Sequence, residues 1–274
     1  HYVAPSVWGW RPERAEKMAR VIDHVLALLP FEPPYMERAG MTCDFVGHPA
    51  VSVKQATEAQ KTALRKDLEL GDARVITLLP GSRAGEIKRM APVMDAVVRA
   101  LHAEEPDVKF VLPAAGAVMD QLRAVVADWV VQPIILDPTN MPADEAEMRK
   151  RTAFAISELA LATSGTVSLE LAAAGCPMVI AYQANWMTTR MVKKLALIDT
   201  ANLINIVTDT RVIPEFLFER CRADLIAPAV LDLLRNPGAR REQVQACDKT
   251  MELLGRGQAD AGTRAAKSVL RAIA

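Results

Sequence analysis

The sequence predicts an α/β protein in which a parallel sheet is covered by helices on both faces, and two observations predict it. Apolar runs of strand length alternate with amphipathic stretches of helical spacing along almost all of the 274 residues, as βαβ units require. Several strand-like runs then stop at turn signals: Leu79-Pro80-Gly81-Ser82, Leu112-Pro113-Ala114-Ala115 and Ala162-Thr163-Ser164-Gly165. In an open sheet of this class such turns share one edge, and ligands bind outside it.

The elements follow in order. Glu13 to Asp23 reads as a helix, Val25 to Leu29 as a strand, and Phe45-Val46 as a short strand before the break Gly47-His48-Pro49. Further strands are predicted at Arg74 to Leu79, Val108 to Leu112, Ile134 to Leu136, Leu159 to Ala162 and Met178 to Tyr182. One helix between them carries Ile87, Met90, Met94, Val97, Val98 and Leu101, and another carries Met119, Leu122 and Val126, at spacings of three and four. Gly175 suits a helix end and Pro177 the start of a strand. Gln183 to Ile198 is a helix candidate with Trp186, Met187, Met191, Leu195 and Ile198 on one side and Arg190 and Lys193 elsewhere. Such a stripe suits a core, and also an acyl chain or a membrane surface. Glu215 after Pro214 reads as a first helical turn. Polar helical sequence follows Pro237 and ends in a helix from about Thr263 to Ile273. The reading divides the chain into 1–50, the end of an earlier domain, 51–240, a full α/β domain, and 241–274, helices packing back toward the first part. The chain opens on His1 in what reads as the middle of a strand and loop, so the natural start is expected upstream.

Composition excludes several classes. Lys plus Arg is 33 and Asp plus Glu is 33, so no basic field favours nucleic acid. The four cysteines, Cys43, Cys176, Cys221 and Cys247, form no C-x-x-C pair, and none of the four histidines pairs at i, i+4. No metal site and no disulfide framework is expected. No apolar run reaches membrane-spanning length.

Two motifs carry chemistry. In Leu79 to Glu86 a buried strand meets a helix through Gly81 and Ser82, where free N–H groups suit phosphate, and Arg83 adds a guanidinium fork. In Ala162 to Glu170 the small polar turn Ser164-Gly165-Thr166 can cradle a diphosphate, and Glu170, about one turn on, can accept hydrogen bonds from a ribose diol. Each has a plain structural alternative: a solvated arginine on an ordinary turn, and a helix cap with Glu170 at the positive end of the dipole. Asn205 alone reads as a turn former, and His48 as a hinge residue or a ligand contact.

These motifs, in this order, resemble the lipid-A-disaccharide synthase family. The resemblance is carried by Tyr2-Val3-Ala4-Pro5-Ser6-Val7-Trp8-Gly9-Trp10-Arg11, Asp23-His24-Val25-Leu26, Leu29-Pro30-Phe31-Glu32 and Phe45-Val46-Gly47-His48-Pro49. It continues through Leu79 to Glu86, Ala162 to Glu170, Cys176-Pro177-Met178-Val179 and Asn205. It implies a GT-B fold, with a Rossmann-like C-terminal domain for the UDP-sugar at 51–240 and the remaining part of an acceptor-side Rossmann-like domain at 1–50. It implies inverting transfer of 2,3-diacylglucosamine from UDP to lipid X (2,3-diacylglucosamine 1-phosphate), with no metal and no cofactor. The setting it implies is cytoplasmic and peripheral at the inner membrane of Gram-negative bacteria, with no nucleic-acid partner and compatible with a homo-oligomer. Carried over by position, Gly81, Ser82, Arg83, Glu86, Ser164, Gly165, Thr166, Glu170 and Asn205 hold the UDP-sugar. The family's catalytic carboxylate falls upstream of His1, so no general base is assigned, and this chain alone is expected to bind UDP with little or no turnover. The family also commonly has Gln where Phe218 stands. The alternatives are another GT-B UDP-sugar enzyme and a UDP-sugar-binding fragment without turnover.

Overall fold

The computed structural model describes residues 1–273, apart from the side chain of Thr188. Two parallel sheets organise it. The smaller pairs His24–Ala27 (β1) with Thr42–Phe45 (β2), and Tyr2 bridges to Leu26. Helices Glu13–Met18 (α1) and Pro33–Arg38 (α2) flank it, over a small core of Ala4, Val7, Ala15, Val25, Ala27, Met36 and Met41. The predicted strand to Leu29 ends at Ala27. The N–H groups of Leu28 and Leu29 go to the buried Glu32 carboxylate at 3.2 and 3.0 Å instead of to a strand.

The chain leaves β2 through Gly47, whose φ of +89° suits glycine and whose added Cβ would meet the Arg264 guanidinium at 3.1 Å. His48 then caps the short turn Pro49–Ser52, its Nδ1 accepting from the Ala50 N–H. Next comes Glu58–Asp67 (α3), begun by a Thr57–Gln60 capping box. The larger sheet follows as Val75–Leu79 (β3), Ala84–Glu104 (α4), Lys109–Pro113 (β4), Met119–Val126 (α5), Ile134–Leu136 (β5), Ala143–Ile156 (α6), Leu159–Thr163 (β6), Val167–Ala173 (α7) and Met178–Tyr182 (β7). Trp186–Leu195 (α8), Leu203–Thr208 (α9), Glu215–Leu217 (β8), Ala223–Arg235 (α10), Pro237–Leu253 (α11) and Ala261–Ile273 (α12) complete it. Glu215 thus opens an edge strand and not a helix. The strand is three residues long, too short to display a period of two.

All six strands of the larger sheet run parallel, in the order β5-β4-β3-β6-β7-β8. Growth from β3 proceeds through β4 and β5, then restarts on the other side of β3 with β6, so the switch point lies between β3 and β6. The faces of β6 show how the strands are covered. Leu159 and Leu161 pack with Ile87, Met90 and Ile226 on the side of α4 and α10. Ala160 and Ala162 pack with Leu169, Ile204 and Met251 on the side of α7, α9 and α11. Leu29, Trp8, Phe31 and Val51 join that second cluster and tie the smaller sheet to the larger one. Helix α12 returns to the smaller sheet: the Ser268 hydroxyl donates to Asp44 at 2.6 Å and Arg264 donates to the Phe45 carbonyl at 2.8 Å.

Candidate functional site

The two predicted corners meet at the switch point. Leu79 and Ala162 are register partners, so β3 and β6 end side by side, at Leu79 and Thr163, and the two loops rise from one edge. The β3 corner is held by its own carboxylate. Gly81 adopts φ +119°, and an added Cβ would lie 2.6 Å from the Cβ of Glu86; only glycine fits a backbone that passes so close. Glu86 accepts from the Ser82 N–H at 3.0 Å and from Arg83 Nη1 at 2.9 Å. The Arg83 side chain is 83% exposed and that of Glu86 14%. As the chain stands, Glu86 fills the positive end of α4 with an internal anion, while Arg83 reaches into the open.

At the β6 corner Ser164 is half-buried and Gly165 and Thr166 are exposed. The Ser168 hydroxyl donates to the Gly165 carbonyl at 2.9 Å, which fixes the turn from below. Thr163 beneath it has a buried Oγ1 without a partner among the described residues. Glu170 stands one turn on and is paired with Lys150 of α6 at 2.7 Å. Burial alone would pull the Lys150 ammonium down, but its bonds to Glu147 and Glu170 outweigh this and hold it above its ordinary value. The pair holds Glu170 in place beside the turn.

Asn205 lies in α9. It is fully buried, and its amide is committed internally: Nδ2 donates to the Ile213 carbonyl at 2.9 Å and to Glu215 at 3.2 Å, and Oδ1 accepts from the Ile213 N–H at 3.0 Å. These bonds pin α9 to β8. Asn202 is the asparagine with capacity to spare. Its Oδ1 caps α9 through the Ile204 N–H at 2.8 Å, while its buried Nδ2 has no partner among the described residues. An asparagine ahead of a helix is a capping signal in sequence, but the orphaned N–H₂ is visible only in the fold.

His48 is engaged with the backbone on both sides. Its backbone N–H goes to the Leu254 carbonyl at 3.0 Å, and burial holds its imidazole below the ordinary value, hence neutral. All four cysteines are free thiols. Burial pushes Cys221 up to about 11 and Cys247 up to about 12, which leaves them poor nucleophiles. Among the described residues no group of three or more His, Cys, Asp or Glu is placed to hold a metal ion.

Helix α8 is only partly the core stripe that its spacing allowed. Trp186 is 73% and Met187 70% exposed, and Arg190 and Lys194 are exposed beside them. Its far end meets the opening loop, where the Leu197 N–H donates to the Gly9 carbonyl at 3.0 Å. A recess of about 770 Å³ lies elsewhere, among Thr208, Arg211, Asp232, Glu242 and Lys249 at the base of β8. It contains none of the predicted residues, and it sits at the wrong end of the strands for this sheet class.

The family model described as lipid-A-disaccharide synthetase matches residues 1–269. A lipid-A-disaccharide synthase of Ruegeria pomeroyi is 55% identical over 270 residues, covering 98% of this chain and 67% of that protein. One of Rhodospirillum centenum is 41% identical over 274 residues, covering 100% of this chain and 66% of that protein. The chain therefore spans about two thirds of the length of these relatives. Among solved structures, UDP-GlcNAc 2-epimerase from Neisseria meningitidis bound to UDP-GlcNAc aligns with a TM-score of 0.61 at 12% identity, over 91% of this chain and 62% of that one. Anabaena Alr3699/HepE in complex with UDP and glucose aligns with a TM-score of 0.53 at 14% identity, over 100% and 71%. These likenesses establish the fold: parallel-sheet α/β of the GT-B type.

Proposed function

The chain belongs to the lipid-A-disaccharide synthetase family, and from that premise we propose that it carries the UDP-sugar half of a glycosyltransferase. The donor is a UDP-linked 2,3-diacylglucosamine and the acceptor 2,3-diacylglucosamine 1-phosphate, joined with inversion at the anomeric carbon. The single observation that carries the reading is the pairing of Leu79 with Ala162, which brings both phosphate-suited corners to one switch point. Ser82, Arg83, Ser164, Gly165 and Thr166 hold the diphosphate, and Glu170, fixed by Lys150, accepts from the ribose hydroxyls. Asn202 offers a further N–H donor from the mouth of α9. As the bond from the anomeric carbon to the β-phosphate breaks, its electron pair stays on the UDP. The acceptor hydroxyl replaces it, and its proton passes to a general base. Exposed α8 faces the acyl chains or the inner-membrane surface.

Calorimetric titration of UDP into this chain and into its Arg83→Ala variant tests the site. The loss of a charge-assisted bond is expected to cost about 1.5–3 kcal/mol, or roughly 10- to 150-fold in affinity. A chain that binds no UDP, or an Arg83→Ala variant that binds it unchanged, overturns the proposal.

A further inference from the structure

The first turns of α4 hold a second cation, outside the set read from the sequence. Arg89 is half-buried. Its Nε donates at 3.0 Å to the carbonyl of Gln183, just past the carboxyl end of β7, and among the described residues it has no ion pair. The guanidinium folds back toward the start of its helix, as helical side chains do: its Nη1 and Nη2 lie 3.4 and 3.5 Å from where a Cβ on Gly85 would stand. Arg83 differs in both respects, being ion-paired to Glu86 and largely exposed.

Topology fixes what lies under Arg89. Helix α4 follows β3, Gln183 follows β7, and β6 runs between those two strands. A side chain that reaches from α4 to Gln183 therefore crosses the end of β6, where the turn Ser164-Gly165-Thr166 begins. Thr163 closes that strand. Side chains alternate along a strand, and Leu159 and Leu161 face the α4 side, so the 4%-exposed Thr163 faces it too. Its unpartnered Oγ1 and the unpaired guanidinium thus border the same crevice. A half-buried charge without a counter-ion and a buried hydroxyl without a partner each carry an uncompensated desolvation cost, which a bound anion would offset. The planar fork of Arg suits phosphate oxygens.

We propose that Arg89 is a binding residue for the pyrophosphate of the UDP-sugar, with the Thr163 hydroxyl donating beside it. The proposal rests on the UDP-sugar reading of this edge and adds to it the group that grips the phosphates from the sheltered side. A half-buried charge acts through a lower effective dielectric than an exposed one. Arg89 should accordingly matter at least as much as Arg83.

The test compares UDP with uridine, which lacks the phosphates, in the full chain and its Arg89→Gln variant, by calorimetry for UDP and by NMR shift titration for uridine. Glutamine keeps an N–H for the Gln183 carbonyl and removes the charge. UDP affinity is expected to fall about tenfold or more, with uridine affinity held. Thr163→Val, close in shape and free of any lost internal bond, is expected to weaken UDP about three- to tenfold, again with uridine unchanged; this arm stands even if Arg89→Gln folds poorly. Equal losses for UDP and uridine, or no loss in either variant, overturn the assignment. If Arg83→Ala weakens UDP while Arg89→Gln and Thr163→Val do not, the Arg89 proposal fails alone; if the unaltered chain binds no UDP, both readings fail together.

Discussion

Two asparagines three positions apart have opposite fates, and only their hydrogen bonds tell them apart. Asn205 spends both amide atoms on Ile213 and Glu215, whereas Asn202 keeps a buried N–H₂ unspent. Asn205→Ala would leave the Ile213 N–H and carbonyl unpaired in the interior. It should destabilise the fold by about 2–4 kcal/mol and leave the UDP affinity of the folded protein unchanged, which denaturant unfolding and titration of the same sample would check. Weakened UDP binding at unchanged stability would return Asn205 to the site. Glu86 and Glu170 teach a related lesson. Both carboxylates stand where the sequence suggested, but each already has an internal partner, Arg83 and Lys150 respectively. Charge and position are legible for both, but the pairing of Glu170 is not, because Lys150 lies 20 residues away on another helix.

At the scale of elements, the segment from β2 to α3 is pinned by a neutral imidazole. His48 Nδ1 must stay unprotonated to accept from the Ala50 N–H at 3.1 Å, and burial lowers its pKa in the folded state. In the unfolded chain the group titrates near its ordinary value of about 6.5. The unfolded state then binds the proton first, so the stabilising contribution is full above about pH 6.5 and declines as pH falls toward the lowered folded value. His48→Asn supplies a side-chain oxygen for the same cap and has no titration. Urea unfolding from pH 8 to 5 should show the wild type losing stability on acidification relative to this variant; parallel profiles would refute the assignment. Element boundaries shifted for similar local reasons. Strand β1 ends early because Glu32 takes the next two N–H groups. Strand β8 resembles a helix start in sequence because Pro214 and an acid suit both.

Across the whole molecule, α8 links the end of β7 to the loop at Gly9 and turns Trp186 and Met187 outward. Exposed apolar side chains beside Arg190 and Lys194 fit an anionic bilayer surface, although no described helix is long and apolar enough to cross a membrane. The chain should co-sediment with vesicles of anionic phospholipid, less so in high salt. The double variant Trp186→Ser, Met187→Ser should remain in the supernatant with its UDP affinity intact. Sedimentation unaffected by both changes would sink this reading. By itself the sequence determined the class of sheet, most of its strands and the two corners on β3 and β6. Alternating apolar runs and glycine-bearing turns are local signals, written within about ten residues of each element. Only the tertiary structure decided that β3 and β6 are neighbours, that Arg89 reaches from α4 to the Gln183 carbonyl without a counter-ion among the described residues, and that Asn205 is spoken for. Strand order and partner choice depend on which distant surfaces bury each other, and no local pattern encodes that.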